Sequence, residues 1–207
     1  MAEKELDQSF WDNRYAGQDT PWALNCATPA LTQYMADKNR DSSILIPGAG
    51  TSLEGIELMR LGFTNITFCD ISPRAIAEAK IKIKEAFPVS QSADIKFVEG
   101  DFFRLEGSYD YIMEQTFFCA LPVKMRNDYA EKMFGLLKKN GTLFGVLFRT
   151  EFEREGPPFG GHLDEYKSLF TKFFYIKEIS ICRNSVPPRA GNELFFICKK
   201  IVNPEIL

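Results

Sequence analysis

Residues 43–55 read SILIPGAGTSLEG. An apolar run at Ile44, Leu45 and Ile46 gives way to two glycines one residue apart, Gly48 and Gly50, and then to an amphipathic stretch. That order predicts a buried strand (43–46), a glycine-rich turn and a helix (52–61) closed by Gly62. Outward from it the alternation continues. A second strand is predicted at 66–70, and Ser72 caps a helix that Pro73 opens and that runs to about Ala86. Further strands are predicted at 94–98, 109–114 and 142–148, with a helix at 122–137 that stops near Asn140-Gly141. After a loop (151–161) and a short helix (163–170), strands at 174–182 and 193–199 follow with no helix between them. Upstream, residues 4–22 predict a short helix and a loop, and residues 29–38 another helix. The fold class is therefore α/β: a Rossmann-like, doubly wound seven-stranded sheet, mostly parallel, with an antiparallel C-terminal edge pair.

The chain has 207 residues, a size that predicts one domain (1–207) able to bury its core without staples. Its net charge of −3 argues against a nucleic-acid partner. Five cysteines, scattered and without a CxxC pair, fit a reducing cytoplasm and predict neither a disulfide framework nor a metal site. The opening MAEKELDQSFW is polar and acidic, unlike a secretory signal, and no apolar run has the length of a membrane span. A cytoplasmic protein, monomeric or a weak dimer, is expected. Nineteen phenylalanines predict a bulky core or an aromatic-lined pocket.

In such sheets ligands lie beyond the carboxyl ends of the strands. Gly48 and Gly50 let backbone N–H groups approach a ligand there. Asp70 ends the second strand, twenty residues after Gly50, where a carboxylate accepts from both hydroxyls of a ribose; capping the turn into the next helix is its alternative role. Gly100-Asp101-Phe102 ends the third strand, with Asp101 placed to accept from an adenine amino group and Phe102 to stack on the ring. These residues fit an adenosine-containing cofactor. NAD brings a pyrophosphate, which calls for a third glycine where Leu53 stands. Glu54, in the first turn of the following helix, can instead reach an ammonium, which points to S-adenosylmethionine and to the class I methyltransferase fold; its alternative role is to complement the helix dipole.

The strings FWDNRYAGQDTPW, ILIPGAG, FCDIS, EGDFF, EQTFFCAL and GPPF together resemble the thiopurine S-methyltransferase family, including its thiol and halide branch, from about Phe10 to about Leu194. The resemblance implies S-adenosyl-L-methionine as cofactor, held at Trp11, Trp22, Gly48, Gly50, Asp70, Ile71, Asp101, Phe102 and Gln115. It also implies an N-terminal segment (1–40) that folds over the cofactor, and an acceptor pocket bordered by the GPP motif with its aromatic, Phe159. The thiol and halide branch has tyrosine at Phe159, and the thiopurine branch often has arginine at Gln115. The FFCA run and Pro188 to Gly191 are closer to the thiol and halide branch.

The implied reaction is methyl transfer to a small-molecule acceptor: a thiol, a thiopurine sulfur or a halide ion. Trp11, Trp22, Phe117 and Phe159 are candidates for an aromatic wall around a cation. His162, the one histidine, stands beside the GPPF loop and is a candidate for assisting deprotonation. Arg14, Arg149 and Arg189 are candidates for drawing in an anion, and Phe117, Phe159, His162 and Arg189 for the acceptor pocket. Cys119 has no base nearby in sequence and reads as packing. An NAD(P) oxidoreductase is disfavoured by the missing glycine and donor pair. An enzyme methylating nucleic acid or protein glutamine would carry [N/D]-P-P-[Y/F] after the fourth strand, where EQTF stands. A methyltransferase for a nitrogen or oxygen acceptor and a non-catalytic sensor of the cofactor remain open.

Overall fold

The computed structural model describes residues 5–87, 95–153 and 155–200. Seven strands form one sheet: β1 (Ile44–Pro47), β2 (Ile66–Asp70), β3 (Lys96–Glu99), β4 (Tyr109–Gln115), β5 (Leu137–Phe148), β6 (Phe174–Ile181) and β7 (Glu193–Lys200). Their order is β3-β2-β1-β4-β5-β7-β6, with β7 antiparallel to both β5 and β6 and the other neighbours parallel. The doubly wound sheet with an antiparallel edge pair is thus the observed one. The chain order reverses between β1 and β4, where such sheets open a crevice. Register brings the tips together: Pro47 lies opposite Cys69, and Asp70 opposite Glu99.

Helix α1 (Gln8–Ala16) belongs to the N-terminal arm. Helices α2 (Pro29–Met35), α3 (Leu53–Arg60) and α4 (Pro73–Ala86) cover one face, and α5 (Arg126–Leu136) and α6 (Leu163–Phe170) the other. Local signals set their ends. Ser72 Oγ accepts from the Ala75 N–H and Pro73 follows at the first helical position. Gly62, at φ 95°, lets the chain turn after α3 in a conformation that costs other residues strain. The phenylalanines are mostly core: Phe170 and Phe196 stack at 5.2 Å between α6 and β7, and burying each such ring contributes about 2–3 kcal/mol. Cys69, Cys119, Cys182 and Cys198 are buried thiols, and no cluster of metal-ligating side chains exists among the described residues.

The expected helix at 122–137 is shorter, and its strand longer, than the sequence suggests. Residues 123–125 form a 3-10 turn, α5 ends at Leu136, and β5 begins at Leu137, opposite Tyr109. Asn140-Gly141 reads as a stop signal, but Asn140 absorbs a positive φ of 63° inside an irregular strand whose pairing resumes at Thr142. The third strand begins at Lys96, and Asp94, its expected start, lies outside the described residues, as does Lys4 at the start of the N-terminal segment. No helix among the described residues is long and apolar enough to cross a membrane.

Candidate active site

At the tip of β1 the chain turns through Gly48 (φ 57°) and Gly50 (φ 52°) into Ser52 (φ 60°), the residue before α3. A Cβ on Gly48 would lie 2.5 Å from the Phe117 ring, and one on Gly50 would lie 3.0 Å from the Tyr15 hydroxyl. The Gly50 N–H donates to Asp70 Oδ2 and the Ser72 N–H to Oδ1, both at 2.9 Å. Asp70 therefore does cap the turn into α4, and it also ties the two strand tips together. A carboxylate has about four acceptor positions, so two such donors leave room for more. Burial pushes the Asp70 carboxyl above the ordinary carboxylate range, against the pull of the Ser72, Gly50 and Ile71 N–H groups.

Beside this turn opens a cleft lined by Tyr15, Trp22, Gly48, Gly50, Glu54, Gln115 and Thr116 among others. Its roof is the N-terminal arm. Helix α1 docks on the start of α4 through Asp12, which accepts from Ser72 Oγ (2.9 Å), the Arg74 N–H (3.1 Å) and Arg74 Nε (2.9 Å). Partial desolvation opposes the charge on Asp12, but these donors outweigh it and hold its pKa below the usual value. Trp22 packs edge-on against Trp11 (5.5 Å) and Tyr15 (5.9 Å). The cation over Trp22 is the guanidinium of Arg14, 4.9 Å from the ring.

A second, smaller cavity lies under the loop after β4, lined by Glu114, Thr116, Cys119, Val146, Leu147, Phe148 and Glu193. Thr116, at φ 60°, borders both cavities. Glu114 is fully buried and holds that loop: it accepts from the Phe117 and Phe118 N–H groups (2.8 and 2.9 Å) and from the Tyr129 hydroxyl (2.7 Å). Desolvation outweighs those donors and pushes its carboxyl up to about 7.

Of the residues expected from sequence, the structure brings Trp22, Gly48, Gly50, Glu54 and Gln115 into one cleft, with Asp70 beneath it and Trp11 behind Trp22. Ile71 is half-buried next to Asp70, and Asp101 caps the Phe102–Arg104 turn while its side chain stays partly exposed. Several expectations need correction. The Phe102 ring is buried against Phe103, Phe117 and Tyr129, so it has no face to offer adenine. Glu54 Oε1 accepts from the Thr28 N–H and Thr28 Oγ1, both at 3.0 Å, so Glu54 anchors the arm as well as lining the cleft. His162 is exposed, pairs with Glu151 and lines neither cavity. Phe159 is half-buried and lines neither cavity; its N–H donates to the Cys119 carbonyl at 2.7 Å. Phe117 packs over Gly48 as a wall of the turn. Arg189 is not a solvated anion collector: it is buried and paired with Glu193. Cys119 is packing, as read, its thiol pushed up by burial.

Sequence reasoning missed Asp12, Tyr15, Thr28, Glu114 and Glu193. Only Asp12 and Tyr15 carried a signal, as polar members of the aromatic stretch FWDNRY. Thr28 acts through a partner 26 residues away, and Glu114 and Glu193 act through loop geometry that no local pattern announces.

Residues 6–195 match the model of the family described as thiopurine S-methyltransferase. The chain belongs to the thiopurine S-methyltransferase family. Its relatives include the probable thiol methyltransferase 2 of Arabidopsis thaliana, 28% identical over 91% of this chain and 84% of that one. They also include the thiopurine S-methyltransferase of Photobacterium profundum, 28% identical over 80% and 83%. Among solved structures, the fold is similar to that of magnesium protoporphyrin IX methyltransferase from Synechocystis with bound S-adenosylmethionine, with a TM-score of 0.73 and 14% identity over 97% and 99% of the two chains. A member of this family is an S-adenosylmethionine-dependent methyltransferase. The site fits that cofactor: Gly48, Gly50, Glu54 and Gln115 line one cleft at the first strand tip, and Asp70 retains acceptor capacity at the second.

Proposed function

We propose that the protein methylates the sulfur of a small thiol or thiol-like anion, with residues 1–207 acting as one domain and residues 1–40 as a cover over the cofactor. The observation that carries this reading is the family match, joined to a glycine-floored cleft that shares Thr116 with a small inner cavity. The relatives named for thiol and thiocyanate methylation in Arabidopsis thaliana support a sulfur acceptor.

When bound, S-adenosylmethionine supplies an electrophilic methyl group on a sulfonium with a neutral thioether as leaving group. The residues of this chain supply alignment and a dry enclosure. Gly48 offers its backbone N–H to a carboxylate, and the Gly50 N–H, given to Asp70, braces the turn. Asp70 accepts from the ribose hydroxyls, and its raised pKa makes added donors favourable. Asp101 accepts from the adenine amino group, and with the Phe102 ring in the core the backbone of that residue is what remains to meet the base. Trp22 and Tyr15 exclude water from above. Alignment of this kind is worth on the order of 7–11 kcal/mol. A thiol has a pKa near 8.5 and yields a useful fraction of thiolate at neutral pH, so no strong base is required. That agrees with a site whose one histidine lies outside both cavities.

The test is a methyl-transfer assay by mass spectrometry on small thiols, thiocyanate, iodide, 6-mercaptopurine, and oxygen and nitrogen nucleophiles. Transfer to small sulfur nucleophiles is expected. Transfer to oxygen or nitrogen acceptors alone overturns the acceptor class, and cofactor binding without transfer to any of them favours a sensor. Trp22→Ala should lower transfer with the melting temperature nearly unchanged. An unfolded variant would show instead that Trp22 is core.

A further inference from the structure

Arg189 stands in the 187–189 turn between β6 and β7 and is only 8% exposed. One guanidinium nitrogen donates to the main-chain carbonyl of Trp22 at 2.8 Å, and another reaches Glu193 Oε1 at 3.3 Å. The guanidinium lies over the Phe148 ring, 5.4 Å from its centroid. We propose that Arg189 is a positioning residue, a latch through which β7 holds the N-terminal arm over the cofactor cleft. The inference rests on the reading of that cleft as the cofactor site.

Three observations carry it. First, the arm is tied down on both sides of Trp22, by Asp12 to the start of α4 and by Thr28 to Glu54. Between these anchors, residues 17–27 make, among the described residues, one hydrogen bond to a residue outside the arm, and it is the bond from Arg189. Second, the contact is to a carbonyl oxygen, so it fixes the path of the arm's backbone. An arginine fork can serve Glu193 and that carbonyl at once, which a lysine ammonium cannot do with the same geometry. Third, stability alone does not account for the pair. Glu193 is 1% exposed and its Oε2 has no partner, although it borders the inner cavity. A buried ion pair left partly unsatisfied is no better for the fold than apolar packing of the same volume. Its geometry does connect the inner cavity, through Glu193, to the roof of the outer one, through Trp22.

The chain carries a built-in reporter, since its two tryptophans, Trp11 and Trp22, both lie in the arm. The test compares the parent protein with Arg189→Met/Glu193→Gln, which removes the latch without stranding a buried carboxylate. Arg183→Met, at an exposed arginine nearby, is the control. In the ligand-free double variant, acrylamide should quench tryptophan emission more strongly than in the parent. The dissociation constant for S-adenosylhomocysteine should rise about tenfold or more, the effect of one lost charged hydrogen bond, with KM for the cofactor rising more than kcat falls. Arg189→Lys keeps the buried charge balanced, so it should fold in any case and show smaller changes of the same sign. Unchanged quenching and unchanged affinity in the folded double variant, or in the lysine variant should the double variant lose its far-UV signal, would overturn the latch. Failure of the parent to bind S-adenosylhomocysteine would overturn the cofactor reading instead, leaving the quenching comparison to decide the latch on its own.

Discussion

The floor of the cleft is held by main-chain groups close together at the strand tips. The Ala49 N–H donates to the Cys69 carbonyl, the Gly100 N–H to the Asp70 carbonyl, and the Gly50 N–H to the Asp70 carboxylate. The roof is held by side chains reaching across long stretches of sequence: Asp12 to Ser72 and Arg74, Thr28 to Glu54, Arg189 to Trp22. Backbone bonds within a parallel sheet open only with the sheet. A few side-chain bonds between distant residues can open without breaking the sheet. A cofactor that must enter and leave calls for this division, a fixed cradle below and a releasable cover above.

Substitutions should separate the two regions. The largest effect is expected in the floor. At Gly48 a Cβ meets the Phe117 ring at 2.5 Å, and the backbone holds a positive φ. Gly48→Ala should therefore weaken S-adenosylhomocysteine binding by at least about 100-fold, near 3 kcal/mol, in isothermal titration. Near-normal affinity would mean that the turn is not the cradle.

Glu114 tests the floor through pH. Its folded pKa of about 7 lies above its unfolded value of 4.5, so the folded state keeps a proton that the unfolded state releases. The contribution to stability is fully present below pH 4.5 and is lost as pH rises through 7. Glu114→Gln carries no such proton, so its stability relative to the parent should improve by about 2–3 kcal/mol between pH 5 and 7.5, at 1.36 kcal/mol per pKa unit. Urea midpoints across that range give the answer, and a difference that stays flat would show that Glu114 does not titrate there.

The same division explains what the sequence made legible. The floor could be read because its signals are local: a strand ending in Gly48 and Gly50, Asp70 twenty residues on, Ser72-Pro73 opening the next helix. Elements from β1 to α4 accordingly fall within a residue or so of their expected positions. The roof could not be read, because nothing local to Thr28 announces Glu54 and nothing near Trp22 announces Arg189. Glu54 shows the hazard. Its place in the first turn of α3 suits a ligand ammonium, yet a partner 26 residues away occupies one of its two oxygens. Phe102 fails for a different reason. A phenylalanine beside a strand tip reads the same whether its ring faces a ligand or the core, and only packing against Phe117 and Tyr129 decides.

Asp70 stands where the two regions meet, since Tyr15 of the arm reaches the Gly50 turn that it anchors. Asp70→Ala removes the expected ribose acceptor and two main-chain caps together. Cofactor affinity should fall by about 1–3 kcal/mol, with a loss of melting temperature alongside. Asp70→Asn, which keeps one acceptor oxygen, should lose less of both. Equal affinity in the alanine variant would remove Asp70 from the site and leave it a turn residue.

The smallest effect on stability, and the clearest on function, is expected in the roof at Asp12. Its carboxylate is partly exposed, and exposed ion pairs contribute at most about 1 kcal/mol to stability, so Asp12→Ala should leave the urea midpoint nearly unchanged. Yet this side chain docks α1 on the start of α4, and α1 carries Trp11 and Tyr15. Loosening it should raise KM for the cofactor several-fold while the fold stays intact, and should increase acrylamide quenching of the tryptophans. Loss of pH dependence is part of the same test. Ionised Asp12 has a depressed pKa, so its hold on the arm is present at neutral pH and is lost as pH falls through that pKa; in the parent, quenching should increase in acid and in the variant it should already be high. A variant whose KM and quenching match the parent while its stability falls by several kcal/mol would reverse the comparison, placing the arm in the folding core and leaving the cleft without a movable cover.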